Sequence, residues 1–285
     1  MEILIIVVCA ALSCTKVTVQ GQLSRGNINN STDSVLANCV VFAFTFLLFS
    51  FSLGSKIEPM VILYSALFGI FGVSFQTLYA LALKTGPFSA TCMLINLHMV
   101  FPVVFSIIYY HEEVTVTKVV GIVLCLTALF LNIKSDGKKV NIKWFTYVLL
   151  AFFSTGGIAV VQKIFAKSAY AKCTDQFVFF GYLIAFLLSS VVFFAQHKFV
   201  QKRTFQLTGK NVLLAFFVAA SLGAFQFLNT YANSFVDAIV LVPSVSGLAT
   251  VFQMFSGRII FREKFTPRQI CSICVGILSI LLISL

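Results

Sequence analysis

Charge is what this sequence has least of. Only 10% of its 285 residues are charged, and Asp and Glu together number nine. A soluble domain carries about 25% charged residues, so this chain cannot cover itself with a water-facing surface. Histidine is equally scarce: His98, His111 and His197 fall in separate segments, and neither HExxH nor GxSxG occurs. Without a ligand cluster or a nucleophile–base pair, no enzyme is expected. Seven of the eight cysteines (Cys9, Cys14, Cys39, Cys92, Cys125, Cys271 and Cys274) lie within apolar runs, where they act as small hydrophobes. The Cys271–Cys274 pair has zinc-knuckle spacing but no second pair to complete it, so neither a metal, a cofactor nor a disulfide framework is implied. The opening "MEILIIVVCAALSC" lacks the basic start of a signal peptide, and Ala11-Leu12-Ser13 fits a lipobox poorly. A first transmembrane helix is expected there.

What is present is apolar. Hydrophobic residues make up 59% of the chain, and the mean hydropathy is +1.00. Runs of roughly 20 such residues recur, the length of a helix crossing about 30 Å of hydrocarbon. The fold class is all-α polytopic membrane protein, in contact with the lipid bilayer. Ten spans are expected, near 3–23, 34–54, 59–83, 87–110, 114–133, 143–166, 175–196, 210–233, 237–260 and 266–285. Pro59, Pro87 and Pro267 stand at helix starts, where a missing N–H costs nothing. The net charge of +11 does not point to nucleic acid, because the basic residues sit mostly in short loops between spans.

The polar linker "KSDGKKVNIK" (134–143) divides the chain into residues 1–136 and 137–285, five spans each. The halves resemble each other. "EEVTVTKVVGIVLC" in span 5 matches "EKFTPRQICSICVG" in span 10; Phe75-Gln76 matches Phe225-Gln226; Ser13 and Gln20 match Thr155 and Gln162. Five is odd, so the second half enters the membrane upside down, an inverted-topology repeat of the kind transporters use.

With "LALKTGPFSA", "FPVVFSIIYYHEEVTVTKVVGI" and "GRIIFREKFTPRQI", the whole chain resembles the EamA-like members of the drug/metabolite transporter superfamily. The resemblance implies alternating access by a multi-pass transporter in the plasma (cell) membrane. It does not choose among amino acids, choline and nucleotide-sugar-like solutes. Where the family often has Trp-Gly in its first span, this chain has Cys14-Thr15-Lys16. No glutamate lies deep in a span, as small multidrug antiporters of the superfamily require.

Polar residues form stripes at helical spacing in spans 1, 3, 8 and 9, while spans 2 and 7 are apolar nearly all round. Spans 1, 3, 4, 6, 8 and 9 are therefore expected to line a cavity, with 2 and 7 toward lipid. The substrate-binding candidates are Lys16, Gln76, Tyr79, Asn96, His98, Gln226, Thr230, Thr250 and Gln253. Lys16, deep in span 1, either snorkels to an interface or serves as a cavity cation that meets a carboxylate or phosphate, or titrates. Gln76 and Gln226 either line the cavity or hydrogen-bond neighbouring helices. Pro102 and Pro243 are helix-break candidates for gating. Glu112, Glu113, Arg258 and Glu263 lie at membrane edges, as caps and topology marks or as gate charges.

The function expected is secondary transport of a small anionic or zwitterionic metabolite. Export of cationic or drug-like compounds, and a channel or scaffold, are the alternatives. A proton or counter-solute stands open as coupling partner, and a monomer or homodimer as assembly. The loop charges put both termini outside, whereas the family resemblance puts them inside.

Overall fold

The computed structural model describes residues 2–28, 31–50, 57–109, 141–199, 208–233, 238–264 and 267–284, with 115–117, 119–121, 123–124 and 127. The apolar runs become helices: α1 (Glu2–Asn27), α2 (Ser31–Phe49), α3 (Pro59–Thr85), α4 (Phe88–Asn96), α5 (Val100–Tyr109), α6 (Ile142–Ala166), α7 (Thr174–Phe199), α8 (Gly209–Ala232), α9 (Ala238–Ile259) and α10 (Pro267–Ser284). No strand occurs among the described residues. Seven segments among them are long and apolar enough to cross a membrane, α4 and α5 counting together as one. Large apolar side chains such as Leu67, Ile70, Phe153, Val191 and Phe194 are exposed on the outside of the bundle. Exposure on that scale suits hydrocarbon rather than water.

Helix ends follow local chemistry. Pro59 occupies the first turn of α3, and the Asn141 side chain caps α6 by accepting from the Lys143 and Trp144 amides. Asn141 also donates to the Thr85 carbonyl at 3.4 Å. Gly86 follows α3 where any Cβ would stand 2.2 Å from the Trp144 ring, so only glycine lets α6 start there. The Trp144 indole in turn donates to Thr91 Oγ1 at 2.9 Å.

These contacts define two faces. The ends of α1 and α3 and the starts of α4 and α6 meet at what is called here the Arg25 face. The starts of α3 and α7 meet at the opposite one, where Gln176 accepts from the Glu58 amide. Cys9 of α1 packs there with Ala232, Leu241 and Val245 of α8 and α9. Thus α1 runs toward the Arg25 face and α6 runs away from it.

A chain of rings ties four helices together. Phe165 of α6 stacks on Phe177 of α7 at 4.3 Å and meets Tyr64 of α3 at 6.0 Å. Phe68 of α3 meets Phe177 and Tyr182, and Tyr182 meets Phe42 of α2. Here the structure departs from the sequence expectation. In α2, 61% of the membrane-length window is buried, the largest share among the seven candidate spans of the described residues. Its phenylalanines pack against α7 and α8 instead of lipid, because a ring buried against a ring gains as much apolar cover as one in hydrocarbon and adds edge contacts. Span 5 (114–133) is described only in part; Ser279 of α10 donates to its Gly121 carbonyl at 2.7 Å. Glu112 and Glu113 lie outside the described residues.

Candidate functional site

Between α1, α3, α4, α5, α6, α8 and α9 lies a cavity of about 80 Å³. By the volume one water needs, it holds about five to eight waters, the space of a small metabolite. The six spans expected to line a cavity, 1, 3, 4, 6, 8 and 9, contribute the walls; α2 and α7 contribute none. The lining comes from the second half of α6 (Thr155 to Lys163), the last third of α8 (Phe225 to Asn233) and the first half of α9 (Val245 to Ala249). The cavity therefore reaches from mid-membrane toward the face opposite Arg25.

Lys16 stands at its inner end, 6% exposed. Its ammonium lies 5.2 Å from the Phe75 ring centroid and 5.9 Å from that of Tyr79, two rings that stack on each other at 5.1 Å. The head group thus turns to aromatic faces in mid-membrane and does not run to an interface. Cation–π attraction of about 1–2 kcal/mol offsets part of its desolvation, but no carboxylate among the described residues pairs with it. Tyr79 is held by a 3.5 Å contact between its hydroxyl and Cys92 Sγ.

A break in the span shapes the wall opposite. Between α4 and α5 the backbone tightens into a 3₁₀ turn, Leu97–Met99, so Pro102 falls in the first turn of α5 and lines the cavity. His98 sits in this break with Nδ1 at 2.8 Å from the Ile95 carbonyl. A carbonyl only accepts, so Nδ1 carries the hydrogen and Nε2 is the nitrogen left for a ligand. Pro243 makes no comparable break: α9 runs from Ala238 to Ile259 through it.

The remaining candidates divide. Asn96 lines the cavity and donates from Nδ2 to Thr250 Oγ1 at 2.9 Å and Gln253 Oε1 at 2.7 Å. Thr250 and Gln253 stand behind it and hold it in place. Asn96→Ala should leave the Gln253 carbonyl oxygen unpartnered and lower stability by about 2 kcal/mol, measurable as earlier thermal unfolding in detergent. Thr250→Ala should cost less, since the Asn96 amide keeps the Gln253 oxygen as an acceptor.

The two glutamine pairs are alike in bonding and unlike in setting. Gln162 donates to Gln226 at 2.8 Å and to Thr230 at 2.9 Å, and both glutamines line the cavity. Gln20 donates to Gln76 at 2.9 Å, but that pair is buried off the cavity. Asn229 and Lys163 also line it. Sequence reasoning named neither Asn229 nor Lys163 as a candidate. The available signal was its place inside span 6, beside Gln162.

At the Arg25 face the path is shut. Arg25 pairs with Glu263 at 3.0 Å, donates to the Leu83 and Gly86 carbonyls, and lies 4.6 Å from the Phe261 ring centroid. Phe261 stacks on Phe88 at 4.2 Å. The Glu263 carboxylate also accepts from the Phe88 and Ser89 amides, capping the positive end of α4. The turn after α9 delivers it there. Arg262 takes a left-handed φ of 51°, and the Glu263 amide returns to the Gly257 carbonyl at 3.0 Å. Gly21 and Gly257 allow the close approach, since a Cβ on either would meet Phe261 at 2.8 Å or Ser89 Oγ at 2.0 Å. Arg258, exposed, donates to the Glu263 carbonyl.

The family model of EamA-like transporters matches this chain twice, over residues 1–134 and 142–285. No curated protein matches it in sequence. One solved crystal structure, described simply as that of a protein, shares 16% identity with it at a TM-score of 0.63, over 97% of this chain and 98% of its own. That likeness is one of fold.

Proposed function

The chain belongs to the EamA-like transporter family, and from that premise we infer that it carries a small anionic or zwitterionic solute, amino-acid-like in size, by alternating access through the cavity at Lys16. Family membership makes it a multi-pass membrane protein with a small-molecule cargo. The observation that carries the substrate class is Lys16: a buried ammonium on the cavity wall with no carboxylate partner among the described residues. A solute carboxylate or phosphate supplies the missing charge. His98, Asn96, Gln226 and Tyr79 surround the same space and serve the solute's polar groups.

Ten spans in two inverted repeats, 1–136 and 137–285, complete the reading. Support comes from the separate family match of each half, the opposed directions of α1 and α6, and the paired glutamines Gln20–Gln76 and Gln162–Gln226. With the basic loops in the cytoplasm and the protein in the plasma membrane, the cavity faces outward.

Thermal stabilisation of the purified protein across amino acids, organic acids, phosphate esters, choline-like cations and nucleotide sugars tests the substrate class. A ligand at 100 times its Kd stabilises by about 2.7 kcal/mol. Selective stabilisation by small carboxylates or phosphates is expected. A response confined to cations overturns the anionic class and returns the protein to the cation-export reading.

A further inference from the structure

Five buried side-chain polar atoms among the described residues have no hydrogen-bond partner: Gln20 Oε1, Ser24 Oγ, Gln76 Nε2, Ser89 Oγ and Ser189 Oγ. Burial strips water from such an atom and returns nothing, so their placement calls for a cause. Four of the five sit on α1, α3 and α4, between the cavity and the Arg25–Glu263 closure.

Their order along α1 is regular. Lys16, Gln20 and Ser24 follow at steps of four on adjoining turns of one helix flank, and Arg25 comes next. Gln76 is bonded to Gln20 from α3. Ser89 lies against Gly257 and gives its amide to Glu263. At 1.5 Å per residue, Lys16 and Arg25 are about 13 Å apart along the helix, close to half the hydrocarbon thickness. The corresponding glutamines of the other half, Gln162 and Gln226, have the same mutual hydrogen bond and line the open cavity.

We propose that Gln20, Ser24, Gln76 and Ser89 form the second half of the solute passage, collapsed in this structure and hydrated when Arg25 and Glu263 separate. The proposal rests on the transporter reading and adds the exit route to it. The unpartnered amide and hydroxyl groups take the polar groups of the solute, and Arg25, released from Glu263, is the cation an anionic solute meets at the mouth. In that state Gln162 and Gln226 close in their turn.

The test is thiol accessibility in sealed vesicles of both orientations. Ser24→Cys introduces a near-isosteric thiol. Its reaction with a membrane-impermeant maleimide is read by mass spectrometry of the tryptic peptide 17–25, which holds position 24 and neither of the native α1 cysteines, Cys9 and Cys14. Labelling from the Arg25 face is expected, at least about 10-fold faster when Glu263→Gln removes the ion pair while keeping an acceptor for the α4 amides. Ser89→Cys, on another helix, should behave alike and guards against a local folding defect at Ser24. If both thiols stay unreactive from that face in the Glu263→Gln protein, or react only from the opposite face, the passage is wrong. The readout needs no solute, so the transporter reading can fail separately. Labelling from the Arg25 face in a protein that moves no solute upholds the passage and removes the transport.

Discussion

Lys16→Met should abolish solute binding while leaving the empty protein as stable as before, or more so. The two effects have one origin. The ammonium is buried beside Phe75 and Tyr79 with no carboxylate partner among the described residues, so ring contacts offset only part of its desolvation. Methionine fills the same stem volume and removes that cost, raising the unfolding temperature of the unliganded protein. A bound anion, in contrast, loses its only buried counter-charge of the α1 wall. Deleting one partner of a buried ion pair costs about 3–5 kcal/mol, an affinity loss of about 100- to 1,000-fold or more. Calorimetric titration with the stabilising solute, alongside melting of the empty protein, reads both. Lys16→Arg should restore part of the affinity, though a planar fork does not fit where a compact ammonium did. Undiminished binding in Lys16→Met would sink the role given to this residue.

The largest stability effect is expected at Gly156. A Cβ there would stand 2.2 Å from the Phe101 ring, and that ring cannot step aside freely. It is held by Phe152 at 4.9 Å and Phe153 at 5.5 Å. Gly156→Leu should therefore cost about 3 kcal/mol or more through overpacking, seen as loss of the monodisperse peak on heating in detergent. Because Phe101 precedes Pro102, the backbone movement that relieves the clash also distorts the α4–α5 break. Gly72→Ala, where nothing lies within 4 Å of the new carbon, is the control and should be near neutral.

Much of this was readable in the chain itself. Hydropathy and proline punctuation place helix starts such as Pro59 and Pro267 where they occur, and helical spacing picks out the cavity-lining spans. The Gln20/Gln162 and Gln76/Gln226 correspondences, noted from aligned halves, return as two hydrogen-bonded pairs. What pattern could not supply was distance between helices. Gln76 and Gln226 read alike, yet only Gln226 meets the cavity. Asn96 was visible, but its clamp by Thr250 and Gln253 spans more than 150 residues of chain. The Arg25–Glu263 contact joins residues 238 apart, and nothing local distinguishes Glu263 as a gate from Glu263 as a cap. Apolar patterning also misassigned α2, since a phenylalanine reads the same toward lipid as toward another ring.

The ladder of rings from Tyr64 and Phe165 through Phe177, Phe68 and Tyr182 to Phe42 has a mechanical meaning. Interlocked rings on α2, α3, α6 and α7 resist shear, because sliding one helix by a turn means unseating several rings at once. Helix α1 carries no aromatic residue along its length, so it adds no ring to that ladder; Ala232, Leu241 and Val245 of α8 and α9 pack with its Cys9, and its Cys14 meets Ser256. On the transporter reading the ring-locked group would be the stator, and α1, tied to it by polar contacts from Gln20 to Gln76 and from Arg25 to the Leu83 and Gly86 carbonyls, would be the part that shifts. The solute's charge and the closing ion pair would then travel on one moving part.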